Sequence, residues 1–374
     1  MPVNERDILY TRHIRNMLFG VFLVCIGLFI DYAQDFLLPV VLGTFIAMTF
    51  RPAIRALARR NIPEWLAATG FISTMTVSGV ALALVIAGPI ADFVQNAPSY
   101  AQTFGARLRE FQGSIKSLLR FAEDIQAASQ SNGSAAAQEV VIREGPPIAY
   151  LGQITGYSAG VIATIVFTLV FAAFLMASGD LFYAKMVRVL PTLKDKKLAL
   201  GIVSDVEREV SSYLLTVTVI NIFLGTAVAL SFHLLGMPTP YLWGVVAFAL
   251  NFIPYVGAIV GISLAAFMAI VTFDSLSFAV LVPLSYALLN GLENQFVSPL
   301  FLGKRLQLNA VAIILAVAFW TWLWGISGTI IAVPVLVTIK VFCDHLESLS
   351  GFGEFLSAKY PDDLRDNQHS GASN

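Results

Sequence analysis

The chain has 374 residues, 57% of them apolar and only 13% charged, with a mean hydropathy of +0.76. Soluble domains carry about 25% charged residues, so this composition excludes an ordinary soluble protein and defines a polytopic membrane protein. A formal net charge of −1, with no basic block, argues against a nucleic-acid partner. Cys25 and Cys343 lie in apolar segments at opposite ends of the chain, and the four histidines are scattered without ligand spacing. No disulfide framework, metal site or cofactor is indicated.

In chain order, residues 1–16 carry Arg6, Arg12 and Arg15 and read as a cytoplasmic lead-in without a cleavable signal. Residues 17–30 and 36–50 are short apolar runs that form a membrane hairpin, followed by a loop holding Arg51, Arg55, Arg59 and Arg60. Residues 65–90 make a long span. The polar region 91–153 follows, with Phe104, Leu108, Phe111, Ile115, Leu118, Ala122 and Ile125 spaced alternately four and three apart. Such a seam suits helix-on-helix packing, either between protomers or back onto the chain's own membrane region. Residues 128–147 read as a mobile connector. Residues 154–177 span again, and Gly156 and Gly160 have the spacing of a close helix contact. Residues 179–212 are charged and predict an interfacial cytoplasmic helix. Residues 213–235 and 276–292 are further spans, and the tail from 346 is polar and frays beyond Pro361.

Two apolar stretches do not fit a single crossing. Residues 241–273 break at Asn251-Phe252-Ile253-Pro254-Tyr255-Val256-Gly257, and residues 310–339 break at Gly325-Ile326-Ser327-Gly328. At about 1.5 Å of rise per residue, a crossing of about 30 Å takes roughly 20 residues, so each stretch is too long for one span and too short for two. Pro254 removes a backbone donor and disfavours helix at Ile253, while Gly257 permits close approach. Each stretch therefore predicts two half-helices meeting at a break, and non-helical backbone at membrane depth persists only beside protein or a wet cavity. The predicted fold is all-α and polytopic, with about six full transmembrane helices plus two broken, re-entrant hairpins; eight full spans are the alternative. The domains are 1–90 (membrane helices), 91–153 (extracytoplasmic insert), 154–345 (transport region, with the cytoplasmic helix 179–212) and the tail 346–374.

Lysine and arginine counts orient the chain. Residues 1–16 hold three, 51–64 four and 179–212 six, which places these regions and both termini in the cytoplasm. Region 91–153 holds five basic residues against six acids and lies outside.

Glu293 is the one acid between Asp274 and Asp344, and it stands beside Asn290, Asn294 and Gln295 where a span ends. An ionisable group in a membrane segment is costly and marks a pathway, here for a proton or cation; the alternative is a carboxylate at the headgroup boundary paired with Lys304 or Arg305. Asn251, Pro254, Tyr255 and Gly257 at the first break, Asn221 in the fifth span, and Ser327 and Gly328 at the second break complete the candidate pathway. Each has a plainer role available: Asn221 as an interhelical hydrogen bond, Asn251 as a helix end, Tyr255 as an interfacial anchor, the glycines as packing.

The Pro254-Tyr255-Val256-Gly257 turn, the segment from Glu293 with Pro299 and Gly303, the Leu308-Asn309 pair and the Trp324-Gly325…Gly328…Pro334 run together resemble the autoinducer-2 exporter-like family of bacterial membrane proteins. The likeness covers residues 14–345; Ala310 departs from it, standing where the family favours proline. The resemblance implies an integral inner-membrane transporter, homo-oligomeric, exporting a small polar signal or exchanging cations for protons. No Walker A pattern is present, since Gly303-Lys304-Arg305 lacks the preceding glycine and the hydroxyl residue, so an ion gradient is the expected energy source. A passive oligomeric pore or scaffold is the competing class. No zinc-protease motif, nucleophile elbow or converging aspartate pair points to an enzyme.

Overall fold

The computed structural model describes residues 5–127, 154–178, 185, 188–302, 308–346 and 349–357, and every regular element among them is a helix. In order these are α1 (Glu5–Tyr32), α2 (Gln34–Ala58), α3 (Glu64–Ala127), α4 (Ile154–Ala177), α5 (Leu193–Leu234), α6 (Pro240–Leu250), α7 (Val256–Thr272), α8 (Leu276–Ala279), α9 (Leu281–Leu292), a π-helical turn Glu293–Val297, α10 (Ser298–Leu302), α11 (Ala310–His345) and α12 (Ser350–Leu356). Six stretches are long and apolar enough to cross a bilayer: α2, the first part of α3, α4, α5, Leu276–Phe301 and α11.

Two boundaries expected from polarity are absent. The change of composition at Ala91 predicts a new element, yet α3 runs unbroken through it for 64 residues, roughly 95 Å, far beyond a bilayer's thickness. Pro89 and Pro98 lie inside it; each removes one hydrogen bond, and the rest of the ladder carries the helix on. Likewise the charged residues from Leu193 and the apolar ones after Ser212 form a single 42-residue helix, α5. Thr192 starts it: its hydroxyl accepts from the Asp195 N–H at 3.1 Å and donates to the Asp195 carboxylate, a reciprocal cap. Helix continuity is set by backbone bonding, which a change of polarity does not interrupt.

The chain divides into two compact units. One comprises residues 1–77, 161–219 and 299–374, and the other residues 78–160 and 220–298. In the first, Val210 of α5 packs with Met48 of α2 and with Val317, Ala332, Val333 and Val337 of α11. Glu207, 7% exposed, is held by Arg51 at 3.5 Å and Arg55 at 3.1 Å, and Asp205 meets His345 at 3.0 Å. The tail is partly structured: Leu356 of α12 packs on Ala312 and Leu336, and its carbonyl accepts from the Asn309 N–H at 2.9 Å. Residues past Pro361 and the connector 128–147 lie outside the described residues.

In the second unit, Phe232, Trp243, Ala247, Ala265, Val282 and Tyr286 form one buried cluster drawn from α5, α6, α7 and α9. Lipid offers helices no hydrophobic drive to associate, so small residues that let backbones touch matter more than in water. The spacing of Gly156 and Gly160 predicts that contact on α4; a Cβ at Gly160 would meet nothing within 4 Å among the described residues, and the surroundings of Gly156 lie outside them. Such a contact falls at Gly225 and Gly244, where a Cβ on either would lie 2.6 Å from the other's carbonyl oxygen. Gly244→Val is expected to force α5 and α6 apart at a cost of about 1–3 kcal/mol, read as a lower thermal midpoint in detergent.

The heptad seam begins inside the chain. Phe104 lies 4.9 Å, ring to ring, from Phe267 of α7, and Arg107 pairs with Asp274. Leu108 is exposed, and the side chains of Phe111, Ile115, Leu118, Ala122 and Ile125 lie outside the described residues.

Candidate functional site: an amide row at a helix break

The first break forms as its residues require. Asn251 caps the end of α6, its N–H bonding to the Ala247 carbonyl at 3.0 Å, and Pro254 stops the helix from resuming. The Val256 N–H then reaches back to the Pro254 carbonyl at 2.7 Å, closing a three-residue turn with Tyr255 at φ 61°, ψ −51°. That γ-turn conformation is rare and strained for a residue with a Cβ. Tyr255 itself is exposed. Gly257 is fixed by sterics: a Cβ there would sit 1.8 Å from the Leu250 carbonyl oxygen, because α7 folds directly back against the end of α6. At 11 residues, about 17 Å, α6 is too short to cross about 30 Å of hydrocarbon by itself.

The turn gathers four asparagines that are dispersed in sequence. Asn294 donates to both the carbonyl (3.0 Å) and the side-chain oxygen (2.9 Å) of Asn290. Asn290 donates to the Asn251 side-chain oxygen at 3.3 Å, and Asn251 donates to that of Asn221 at 2.8 Å. The first bond gives the row its sense. A main-chain carbonyl only accepts, so Asn294 must present its NH2, and every amide down the row follows. The row runs from exposed Asn294 through buried Asn290 and half-buried Asn251 to Asn221, which is 1% exposed. There it ends unmet: the NH2 of Asn221 has no hydrogen-bond partner among the described residues. An unsatisfied buried polar group costs about 1–3 kcal/mol, and a fold keeps one where it serves something else.

Glu293 stands next to this row in sequence, at the head of the π-helical turn. Such turns are uncommon in helices and concentrate at functional sites. The carboxyl is 7% exposed and accepts a short hydrogen bond from the Ser298 hydroxyl. Among the described residues no cation pairs with it; Lys304 and Arg305, the partners expected for a headgroup-boundary carboxylate, lie outside that set.

The second break, in the other unit, repeats the steric logic. Within α11, Trp324 (φ −127°, ψ 18°) and Gly325 (φ 59°, ψ −140°) leave the helical region. A Cβ at Gly328 would fall 1.9 Å from the Trp320 carbonyl oxygen, and the Thr321 and Thr329 hydroxyls meet at 2.7 Å. Residues eight apart in a straight helix stand about 12 Å from one another, so α11 reverses here into two limbs. Ser327 is half-buried, and Gly328 is the contact that closes the reversal. Thr321 and Thr329 carry no sequence signal, since threonines in apolar helices ordinarily bond their own i−4 carbonyls. Both do so here, to Val317 and Gly325, in addition to meeting each other.

An all-α polytopic chain with two folded-back apolar hairpins, one of them lined by a polar row, suits a membrane transport protein. Comparison with known proteins agrees. Residues 17–348 match the model of the AI-2E family of transporters, and the chain belongs to that family. It is 22% identical over 312 residues to the AI-2 transport protein TqsA of Escherichia coli (strain K12), covering 83% of this chain and 86% of the relative. A Haemophilus influenzae relative, provisionally named a transport protein, is 21% identical over 313 residues, with 83% and 87% covered. YrrI of Bacillus subtilis (strain 168), also provisionally named a transport protein, is 24% identical over 318 residues, with 82% and 86% covered. The protein is thus a multi-pass transporter of the bacterial inner membrane.

Proposed function

We propose that this protein is a secondary transporter that exports a small polar solute, driven by an ion gradient, through the break between α6 and α7. Autoinducer-2, which names the transport activity of the TqsA relative, is the first solute to test. The observation that carries the reading is the amide row, which ends on a buried NH2 with nothing to donate to. A solute hydroxyl or carbonyl arriving there supplies the missing acceptor. Binding then gains a full hydrogen bond that water in the bilayer core does not provide. Asn221, Asn251, Asn290 and Asn294 contact the solute in this reading; Pro254, Tyr255 and Gly257 hold the turn, and Ser327 and Gly328 belong to the second hairpin.

Glu293 favours a second reading, sodium or other cation exchange against protons. A buried carboxyl without a cationic partner among the described residues, beside a row of amide oxygens, has the chemistry to take up either. In proteoliposomes, Glu293→Gln is expected to leave solute movement no longer responsive to an imposed proton or sodium gradient. A variant that keeps the wild-type response removes the coupling role. High unitary conductance in a planar bilayer would instead place the protein among passive pores.

The same reading puts both termini in the cytoplasm, on the lysine and arginine counts, and region 91–153 outside. It also includes a homo-oligomer, supported by the heptad spacing of Phe111, Ile115, Leu118, Ala122 and Ile125 beyond the apolar part of α3.

A further inference from the structure

The C-terminal end of α11 meets the charged first half of α5 at His345, within the unit that carries residues 161–219 and 299–374. The contact has no part in the amide row, which belongs to the other unit. His345 is the last residue of α11, and its Nδ1 faces the Val341 carbonyl oxygen one turn back at 2.9 Å. Its Nε2 faces the Asp205 carboxylate at 3.0 Å, with both side chains about two-thirds or more covered. Gly201, one turn before Asp205, sits beside the ring: a Cβ there would lie 4.0 Å from Nε2.

Both atoms that face the ring are acceptors. A main-chain carbonyl oxygen and an ionised carboxylate take a hydrogen and cannot give one, whereas a neutral imidazole carries a hydrogen on one nitrogen alone. With that hydrogen on Nε2, the bare lone pair of Nδ1 points at the Val341 oxygen. With it on Nδ1, the bare Nε2 points at a carboxylate. The doubly protonated ring donates at both positions and adds an ion pair with Asp205. The charges around it leave this pairing in place. On α5, Asp205 also meets Arg208 at 2.8 Å, but Arg208 is 62% exposed and meets Glu209 as well; Lys197, two turns before Asp205, is exposed. On α2, Arg51 and Arg55 meet Glu207, two residues on from Asp205 and so on another face of α5. On α11 itself, Lys340 and Asp344 pair with each other. On α12, which packs against α11, Glu354 is the one titratable residue, and it is exposed. Lys304, Arg305 and Glu347 lie outside the described residues.

We infer that His345 and Asp205 form a proton-operated latch between α11 and α5, closed when the ring is doubly protonated and loosened when it is not. A histidine side chain is suited to this because it changes charge between about pH 5 and 8. Stability from the latch is present at the acid end of that window and is lost as the pH rises through it, because the folded state then gives up a proton that it had used. Loosening releases one tie on the helix that carries the second hairpin and seats α12. On the orientation proposed above, the pH sensed is that of the cytoplasm; the latch itself does not rest on that orientation.

The test is the thermal midpoint of the full-length protein in detergent, measured across about pH 5.5 to 8.5 and read as wild type minus variant, so that the other titrating groups cancel. His345→Gln keeps one N–H donor for Asp205 and cannot take up the second proton. Asp205→Asn keeps the shape of its partner and removes the charge. Neither residue belongs to the proposed transport pathway. At the acid end the wild type is expected to melt about 2 °C above His345→Gln, and the difference should close at the alkaline end. Asp205→Asn should lose the same pH-dependent difference although its histidine is intact, which a merely packed histidine would not show. It also keeps the latch testable should His345→Gln fail to fold. A wild-type advantage over His345→Gln that stays constant across the range, or an Asp205→Asn profile parallel to that of the wild type, overturns the inference.

Discussion

Gly257→Ala is expected to abolish transport and to cost at least about 3 kcal/mol of stability, at the upper end of what overpacking does. The added methyl would have to sit 1.8 Å from the Leu250 carbonyl oxygen. That obstacle is backbone, not the tip of a flexible side chain, so the hairpin must open by more than an ångström. Opening it draws Asn251 away from Asn221 and dissolves the amide row. Gly328→Ala meets a like obstruction, 1.9 Å from the Trp320 carbonyl oxygen, and should open the second hairpin at a similar cost in stability. The control is Gly79→Ala in α3, where a Cβ meets nothing within 4 Å among the described residues. Replacing a helical glycine at an open position should leave stability unchanged or raise it by about 0.5–1 kcal/mol. Thermal midpoints and proteoliposome flux of the three variants check the set. Wild-type flux in Gly257→Ala would mean that the fold-back at this turn is not needed.

The second large effect is at the centre of the row. Asn251→Leu removes a donor and an acceptor at once, leaving the Asn221 oxygen without its hydrogen bond beside an NH2 that already lacks one, and freeing the Asn290 NH2. Each newly unmet buried group costs about 1–3 kcal/mol. A loss of roughly 2–4 kcal/mol in stability and more than tenfold in flux is expected, measured by thermal unfolding and by autoinducer-2 movement in proteoliposomes. Asn251→Gln retains the chemistry on a longer arm and should recover part of the stability. Asn251→Leu with unaltered flux would show that the row is only structural.

Much of the first hairpin is legible in the sequence because its causes are local. Asn251, Pro254 and Gly257 stand within seven residues, and the proline's missing donor and the glycine's missing Cβ act on the backbone beside them. Asn221 and Asn290 stand 30 and 39 residues from Asn251 in the chain, and sequence marks each of them only as a polar residue in an apolar span. Their meeting depends on how α5, α6, α7 and α9 pack, which periodicity does not specify. The same holds for Thr321 and Thr329, joined only once α11 reverses. Glu207 and Arg51 count, on the sequence, simply as charges in cytoplasmic stretches; that they are buried against one another follows from α2 lying along α5. Errors about element boundaries have a single source. The polarity changes at Ala91 and Ser212 are changes of side-chain character, and they say nothing about where a hydrogen-bond ladder stops.

The most direct test of the row as the solute's path is Asn221→Leu. The substitution deletes the unmet NH2 and strands only the NH2 of half-buried Asn251, so stability should change by less than about 1 kcal/mol. Autoinducer-2 flux through the purified variant in proteoliposomes, read beside its thermal midpoint, should fall at least tenfold while the midpoint holds. Full flux with an unchanged midpoint would contradict the account, since a solute that travels elsewhere has no use for that donor.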